Sequence, residues 1–210
     1  MYTASPGLEE KFDAAILDFR SFLTALKAPG RSQSYARKTI AQYVAAFEGN
    51  FAAWMGAAAV SAKSHEAKRL VEENLTDELR DNHADLLRDF AKAAGAEPSI
   101  EDYHSVEPAV SKVRNLIAEM SGLKTLTLIA VLEATFATED VPFLEGLAGK
   151  LWVTNHPYTR LHAAVDIKHA EQLRSALGEE RKYYPPLTQS SETINNVIGF
   201  TLDFQKAVYS

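Results

Sequence analysis

In the stretch TRLHAAVDIKHAEQL, residues 159–173, His162, Asp166 and His169 stand at intervals of four and three in a chain with only six histidines. On a helix turning about 100° per residue, Asp166 falls roughly 40° and His169 roughly −20° from His162, so all three leave one narrow arc. The same arc carries Tyr158, Val165, Leu173 and Leu177, while Arg160, Lys168, Glu171 and Arg174 fall on the other side. Three polar groups therefore interrupt the core-facing stripe. Burying an unpaired carboxylate costs several kcal/mol. A divalent cation would neutralise the aspartate while taking the imidazole lone pairs. A hydrogen-bonded His-Asp-His cluster on a half-exposed face is the other reading of this stretch.

A metal site needs ligands from other helices, and several carry acid or imidazole on their apolar faces. In LTLIAVLEATFA the only ionisable residue is Glu133, flanked on the wheel by Leu126, Ile129, Ala130 and Ala137. His83, in RDNHADLLRDF, shares a face with Leu79, Leu86, Leu87 and Phe90, and Glu48 sits with Val44, Phe51, Ala52 and Met55. Taken singly, each has a structural explanation, a satisfied core histidine or a hydrogen-bonding glutamate. Together they form the mixture of carboxylate and imidazole by which helical bundles hold two irons without thiolate. His65 and His104 lie among charges and turn residues and are expected in solvent; His156, before a proline, is expected in a cap. Trp54, Phe136, Trp152 and the KYYPP aromatics read as packing.

The elements that must position these groups are helical throughout, since apolar residues recur at three and four and rarely alternate. The pattern predicts helices over about 8–27, from Ser32 or Ser34 to about 60, 64–94, within 99–121, 123–137, from Pro157 to about 178, and 190–208. Residues 138–156 read as a connector containing a helical turn or two. No internal repeat or linker divides the chain, so the expectation is one all-α domain over 1–210.

The order ENLTDELRDNHADLL (73–87), then Glu133 in an apolar helix, then His162-x3-Asp166-x2-His169 resembles the haem-oxygenase-like diiron oxidases and oxygenases. These are relatives in fold of the TenA and PqqC proteins and of the chlamydial para-aminobenzoate-forming protein. The resemblance implies a seven-helix bundle with an interior metal site. It assigns His162, Asp166 and His169 as ligands, Glu133 as a carboxylate able to bridge two metals, and His83 as the third imidazole. The last acid of the ENLxDE segment, here Glu78, is the remaining ligand. Glu78 precedes His83 by only five residues, about 140° around an ideal helix, so the helix must be bulged or broken near Leu79–Asn82 for both to face one site. Glu73 has a better angle but a rise of about 15 Å, which ranks it below Glu78. Glu48 is the candidate for the extra glutamate that some relatives recruit from an earlier helix.

As cofactors the resemblance implies two Fe (Fe2+/Fe3+), with manganese admissible at one position, and O2 as co-substrate. Two ferrous ions would form a peroxo-bridged diferric species leading to C–C or C–N cleavage, desaturation or N-oxygenation of a small metabolite. An amino acid or amine-bearing acid is the favoured substrate, a fatty acid the next. Two other classes fit the same bundle: a metal-free TenA- or PqqC-like enzyme, and a non-catalytic iron-binding bundle.

Composition narrows the field further. In 210 residues, 46% apolar content provides for a substantial core. A net charge of −6 with both signs interspersed argues against a nucleic-acid partner. There is no cysteine, which removes disulfides, thiolate metal sites and a thiaminase-type nucleophile. No apolar run reaches the roughly 18 residues of a membrane span, and the start lacks a signal-peptide pattern, so a soluble cytoplasmic protein is expected. A homodimer is the base-rate expectation for its assembly.

Overall fold

The computed structural model describes residues 7–26 and 32–210. The expected end of the first helix, at residues 27–30, lies outside them. Among the described residues there are helices and no strand: α1 (Leu8–Leu26), α2 (Gln33–Phe47), α3 (Asn50–Ser61), α4 (His65–Arg80), α5 (His83–Ala93), α6 (Ile100–Ala118), α7 (Gly122–Thr135), a π-helical turn (Phe136–Asp140), α8 (Val141–Gly149), α9 (Pro157–Arg181) and α10 (Leu187–Val208).

Local chemistry sets the starts. Ser32 accepts from the Tyr35 N–H, Ser64 from the Ala67 N–H, and Ser99 with Asp102 forms a capping box at α6. His156 caps α9 through Nδ1, which accepts from the Tyr158 N–H, and Pro157 opens the first turn. Glu180 closes another join. Fully buried on α9, it accepts from the backbone N–H of Lys63 (2.9 Å) and Ser64 (2.8 Å), ahead of α4.

Two expected helices are interrupted. The stretch from Ser32 stops at Phe47 and resumes at Asn50, across Gly49 with φ +70°; the stretch 64–94 breaks at Asp81–Asn82, where Asn82 has φ +53°. Both residues are types that tolerate the left-handed region. The supposed connector 138–156 is helical as far as Gly149, because Val141, Phe143, Leu144, Leu147 and Ala148 bury one face. Joining α2 with α3 and α4 with α5, and counting the contiguous α7, π-helical turn and α8 as one, gives seven helical stretches among the described residues, the number the pattern predicts.

Helix α7 is buried on almost every side, with Lys124 its one half-exposed residue, and packs against α9, α10 and α3. Such an all-round apolar helix belongs at the centre of a bundle. Helix α9 lies between α7 and the α4–α5 pair. Of the two tryptophans, Trp54 is 3% exposed and stands edge-on to Phe47 and Phe204, whereas Trp152, expected in packing, is 86% exposed. The φ of +67° at Trp152, in the turn after α8, accompanies that outward position. No helix among the described residues is long and apolar enough to cross a membrane.

Candidate metal centre

Helix α9 presents His162, Asp166 and His169 inward, all buried, and α7 presents Glu133, 1% exposed, from the centre of the bundle. Glu78 stands in the last turn of α4 and His83 is the first residue of α5. The break at Asp81–Asn82 turns both to one side, so that His83 Nδ1 lies 2.7 Å from Glu78 Oε1. His169 Nδ1 faces Glu133 Oε1 at 3.7 Å and Glu78 Oε1 at 3.9 Å. The rings of His83 and His162 are 4.5 Å apart.

These groups resolve into two overlapping sets, Glu78–His83–His162 and Glu78–Glu133–His169, in each of which the ligand atoms lie within 4.8 Å of one another. The shared carboxylate is Glu78, whereas the resemblance gave the bridging role to Glu133. Asp166 sits between the two α9 histidines in sequence, and both its oxygens are buried without a hydrogen-bond partner.

The donor atoms fit a metal. His83 Nε2, Glu133 Oε2, both Asp166 oxygens and His169 Nδ1 are buried without a hydrogen-bond partner, and a buried polar atom left unpaired needs an explanation. Three carboxylates and three imidazoles suit iron without thiolate. The tautomers agree as well. His162 Nδ1–H donates to the Tyr158 carbonyl at 2.9 Å, leaving Nε2 a lone pair, and His169 Nε2–H donates to Asp77 Oδ2 at 3.4 Å, leaving Nδ1 for the site.

Electrostatics carries the same message. Burial, then the nearby Glu78, pushes the Glu133 carboxyl well above its ordinary range. Burial, then Glu133 and Glu78, does the same to Asp166. Burial, then the neighbouring His83, lowers His162 to about 4, so its imidazole is neutral. Without a cation, burial therefore favours the protonated forms of Glu133 and Asp166 and the neutral imidazole of His162.

Asp77 was not foreseen. Although desolvation pushes its carboxyl up, the bond to His169 and the charges of Arg80 and Lys168 hold it below the usual value. The only signal for it was its place beside Glu78 in the ENLxDE segment.

A cavity of about 100 Å³ opens on the ligand wall, lined by Glu78, His83, Glu133 and His162 and by aromatic residues that include Tyr43, Phe47, Phe51, Phe136 and Tyr158. Both helix breaks border it, through Gly49 and Asn82. Glu48 also lines it, but its carboxylate is held by Arg88, whose Nε lies 2.9 Å away, and it joins neither ligand set. Glu73 is exposed and pairs with Arg69. His65 and His104 are exposed, and His156 is the α9 cap.

Residues 38–190 match the model of a family described as iron-containing redox enzymes. No curated relative matches the chain.

Proposed function

The chain belongs to the family of iron-containing redox enzymes, and from that premise we propose that it is a non-haem diiron oxidase or oxygenase acting on a small metabolite. The observation that carries this reading is the pair of three-residue ligand sets joined at Glu78, on the wall of a cavity. Glu78, His83 and His162 would hold one iron, and Glu133, Asp166 and His169 the other, with Glu78 close enough to serve both. Two irons would supply reductive activation of O2 at the edge of that cavity.

The chain's own residues do the rest. Tyr158 and Asp77 orient the imidazoles of His162 and His169 through their distal N–H groups. Glu133 and Asp166 give up their protons as the metal enters. The aromatic wall excludes water, which keeps reactive species from side reactions. An apolar cavity of about 150 Å³ admits benzene, so about 100 Å³ favours a compact substrate. A short amino acid or amine-bearing acid fits this better than a long fatty acid. A non-catalytic iron-binding bundle would need no such cavity.

Anaerobic titration with Fe(II), read by metal analysis for iron and manganese, tests the site. The expected result is two irons per chain and a transient absorption on mixing with O2, accelerated by the correct member of a panel of amino acids and short amines. In His162→Ala, iron content should drop to about one per chain or less. Less than about one iron in the unaltered protein, with His162→Ala no different, would overturn the reading.

A further inference from the structure

From the cavity wall into the core behind it runs a line of buried tyrosine side chains, none of them a candidate ligand. The Tyr158 ring packs 4.1 Å from the His162 ring, centre to centre, and its hydroxyl is 3.2 Å from that of Tyr43. Tyr43 stacks on Tyr209 with ring centres 6.1 Å apart and planes 24° from parallel. The Tyr209 hydroxyl donates to Asp140 Oδ1. Every member is buried: the three tyrosines are 2–3% exposed and Asp140 is 0%. The run therefore leads from a ligand on α9, across α2, to the C-terminal end of α10 and the π-helical turn.

Asp140 is an unusual terminus. A carboxylate placed there for stability alone would want a cation, yet its partners are neutral. Gln205 Nε2 donates to its Oδ2 at 3.1 Å and to Thr135 Oγ1 at 2.6 Å. The neighbouring acid, Glu139, is the one that takes the cation, Arg20 at 2.7 Å. Burial raises the Asp140 carboxyl to about 7, against the hydrogen bonds from Tyr209 and Thr135. Its conjugate base is accordingly stronger than an ordinary carboxylate and already in contact with a phenol.

We propose that Tyr158, Tyr43 and Tyr209 form a one-electron relay from the metal centre to the Tyr209–Asp140 pair. The proposal rests on the diiron reading, because the oxidant is the O2-oxidised iron centre. When no substrate is bound, one electron would leave Tyr209 and pass through Tyr43 and Tyr158, with the oxidised iron centre as its one-electron acceptor. The phenolic proton of Tyr209 moves to Asp140 Oδ1, so Tyr209 becomes a neutral radical and Asp140 a neutral acid. Tyr43 and Tyr158 return to phenols. A phenol radical cation is a strong acid, so the step needs a base within hydrogen-bond reach, and Asp140 is that base. Ring separations of 4.1 Å from His162 to Tyr158 and 6.1 Å from Tyr43 to Tyr209, with the Tyr158 and Tyr43 hydroxyls 3.2 Å apart, keep each hop short. The relay draws the oxidising equivalent away from His162 and the cavity wall.

The test uses the iron-loaded protein grown with ring-deuterated tyrosine, exposed to O2 without substrate, freeze-quenched and read by electron paramagnetic resonance. The expected result is a radical signal that narrows with deuteration and disappears in Tyr209→Phe, with iron content unchanged. It should weaken in Asp140→Asn and Tyr43→Phe and persist when Tyr103, an exposed tyrosine on α6 outside the run, is changed in Tyr103→Phe. Mass spectrometry should then find more oxidation of cavity residues in Tyr209→Phe. If the iron reacts with O2 but no tyrosine signal forms, or the signal survives in Tyr209→Phe, the relay is wrong and the diiron reading stands. If iron does not bind or does not react with O2, the diiron reading fails. The relay is then decided in the metal-free protein with a photogenerated ruthenium(III) oxidant. A tyrosyl radical lost in Tyr209→Phe and slowed in Asp140→Asn supports the pathway, and equal yields in all variants overturn it.

Discussion

Glu133 shows how a single side chain can be read twice. In an apolar run a lone carboxylate contradicts its neighbours, and the contradiction is resolved only by a partner from elsewhere. Burial and the nearby Glu78 push its carboxyl well above the ordinary range, the shift expected of a buried acid with no cation beside it. Replacing it with glutamine keeps the shape and removes a buried group whose ionised form burial disfavours. Glu133→Gln should therefore leave the metal-free protein as stable or more so, while iron content falls. Melting of the metal-free form, set beside metal analysis, checks both halves. Five of the six ligand candidates stood out because each is a polar residue on an apolar stripe, whereas Glu78 came only from the resemblance. Asp77 and Asp140 did not stand out. Asp77 is half-buried at the edge of its helix's inner face among charged neighbours, and Asp140 falls in a segment read as a connector. Glu48 shows the limit of a helix wheel: the arc pointed inward, but α2 ends just before it and Arg88 claims its carboxylate.

At the scale of elements, the spacing from Glu78 to His83 demanded a break that the residues between them supply. Asn82 adopts the left-handed conformation there, which costs a β-branched residue about 1–2 kcal/mol and glycine little. Asn82→Gly should keep both stability and iron binding. Asn82→Val should lose about that much stability and bind less iron, because His83 is displaced; denaturant midpoints and metal content measure the two. The join between α3 and α4 offers a second test. A Cβ at Gly122 would meet Glu180 Oε1 and come within 2.7 Å of the Ser61 carbonyl oxygen. Gly122→Ala should therefore cost roughly 1–3 kcal/mol of stability, read from urea unfolding. The pattern reading gave 138–156 only a helical turn or two, because Pro142 and two glycines punctuate it; its intact apolar face carries a helix over 141–149. The π-helical turn leaves no periodic signature in so short a stretch.

For the molecule as a whole, these buried groups tie stability to pH. The Asp140 carboxyl, at about 7 in the folded state, titrates near 3.9 in an unfolded chain. Between those values the folded protein holds a proton that the unfolded chain has released. Stability from this group is thus fully present below about pH 4 and is lost as pH rises through about 7. Glu133 and Asp166 add the same sign in the metal-free protein. Metal-free protein should accordingly unfold at lower denaturant concentration as pH rises from about 5 to about 7, and Asp140→Asn should flatten part of that slope. Loading with metal should release protons over the same range, measurable in weak buffer.

The opposite settings of the two tryptophans equip the chain with its own optical probe. Trp152 stands in solvent, so iodide would silence its emission, leaving the light of Trp54 alone. Trp54 touches Phe47, and Phe47 lines the cavity. Its residual fluorescence should therefore report occupancy of the cavity and the metal wall in a titration that needs no added dye.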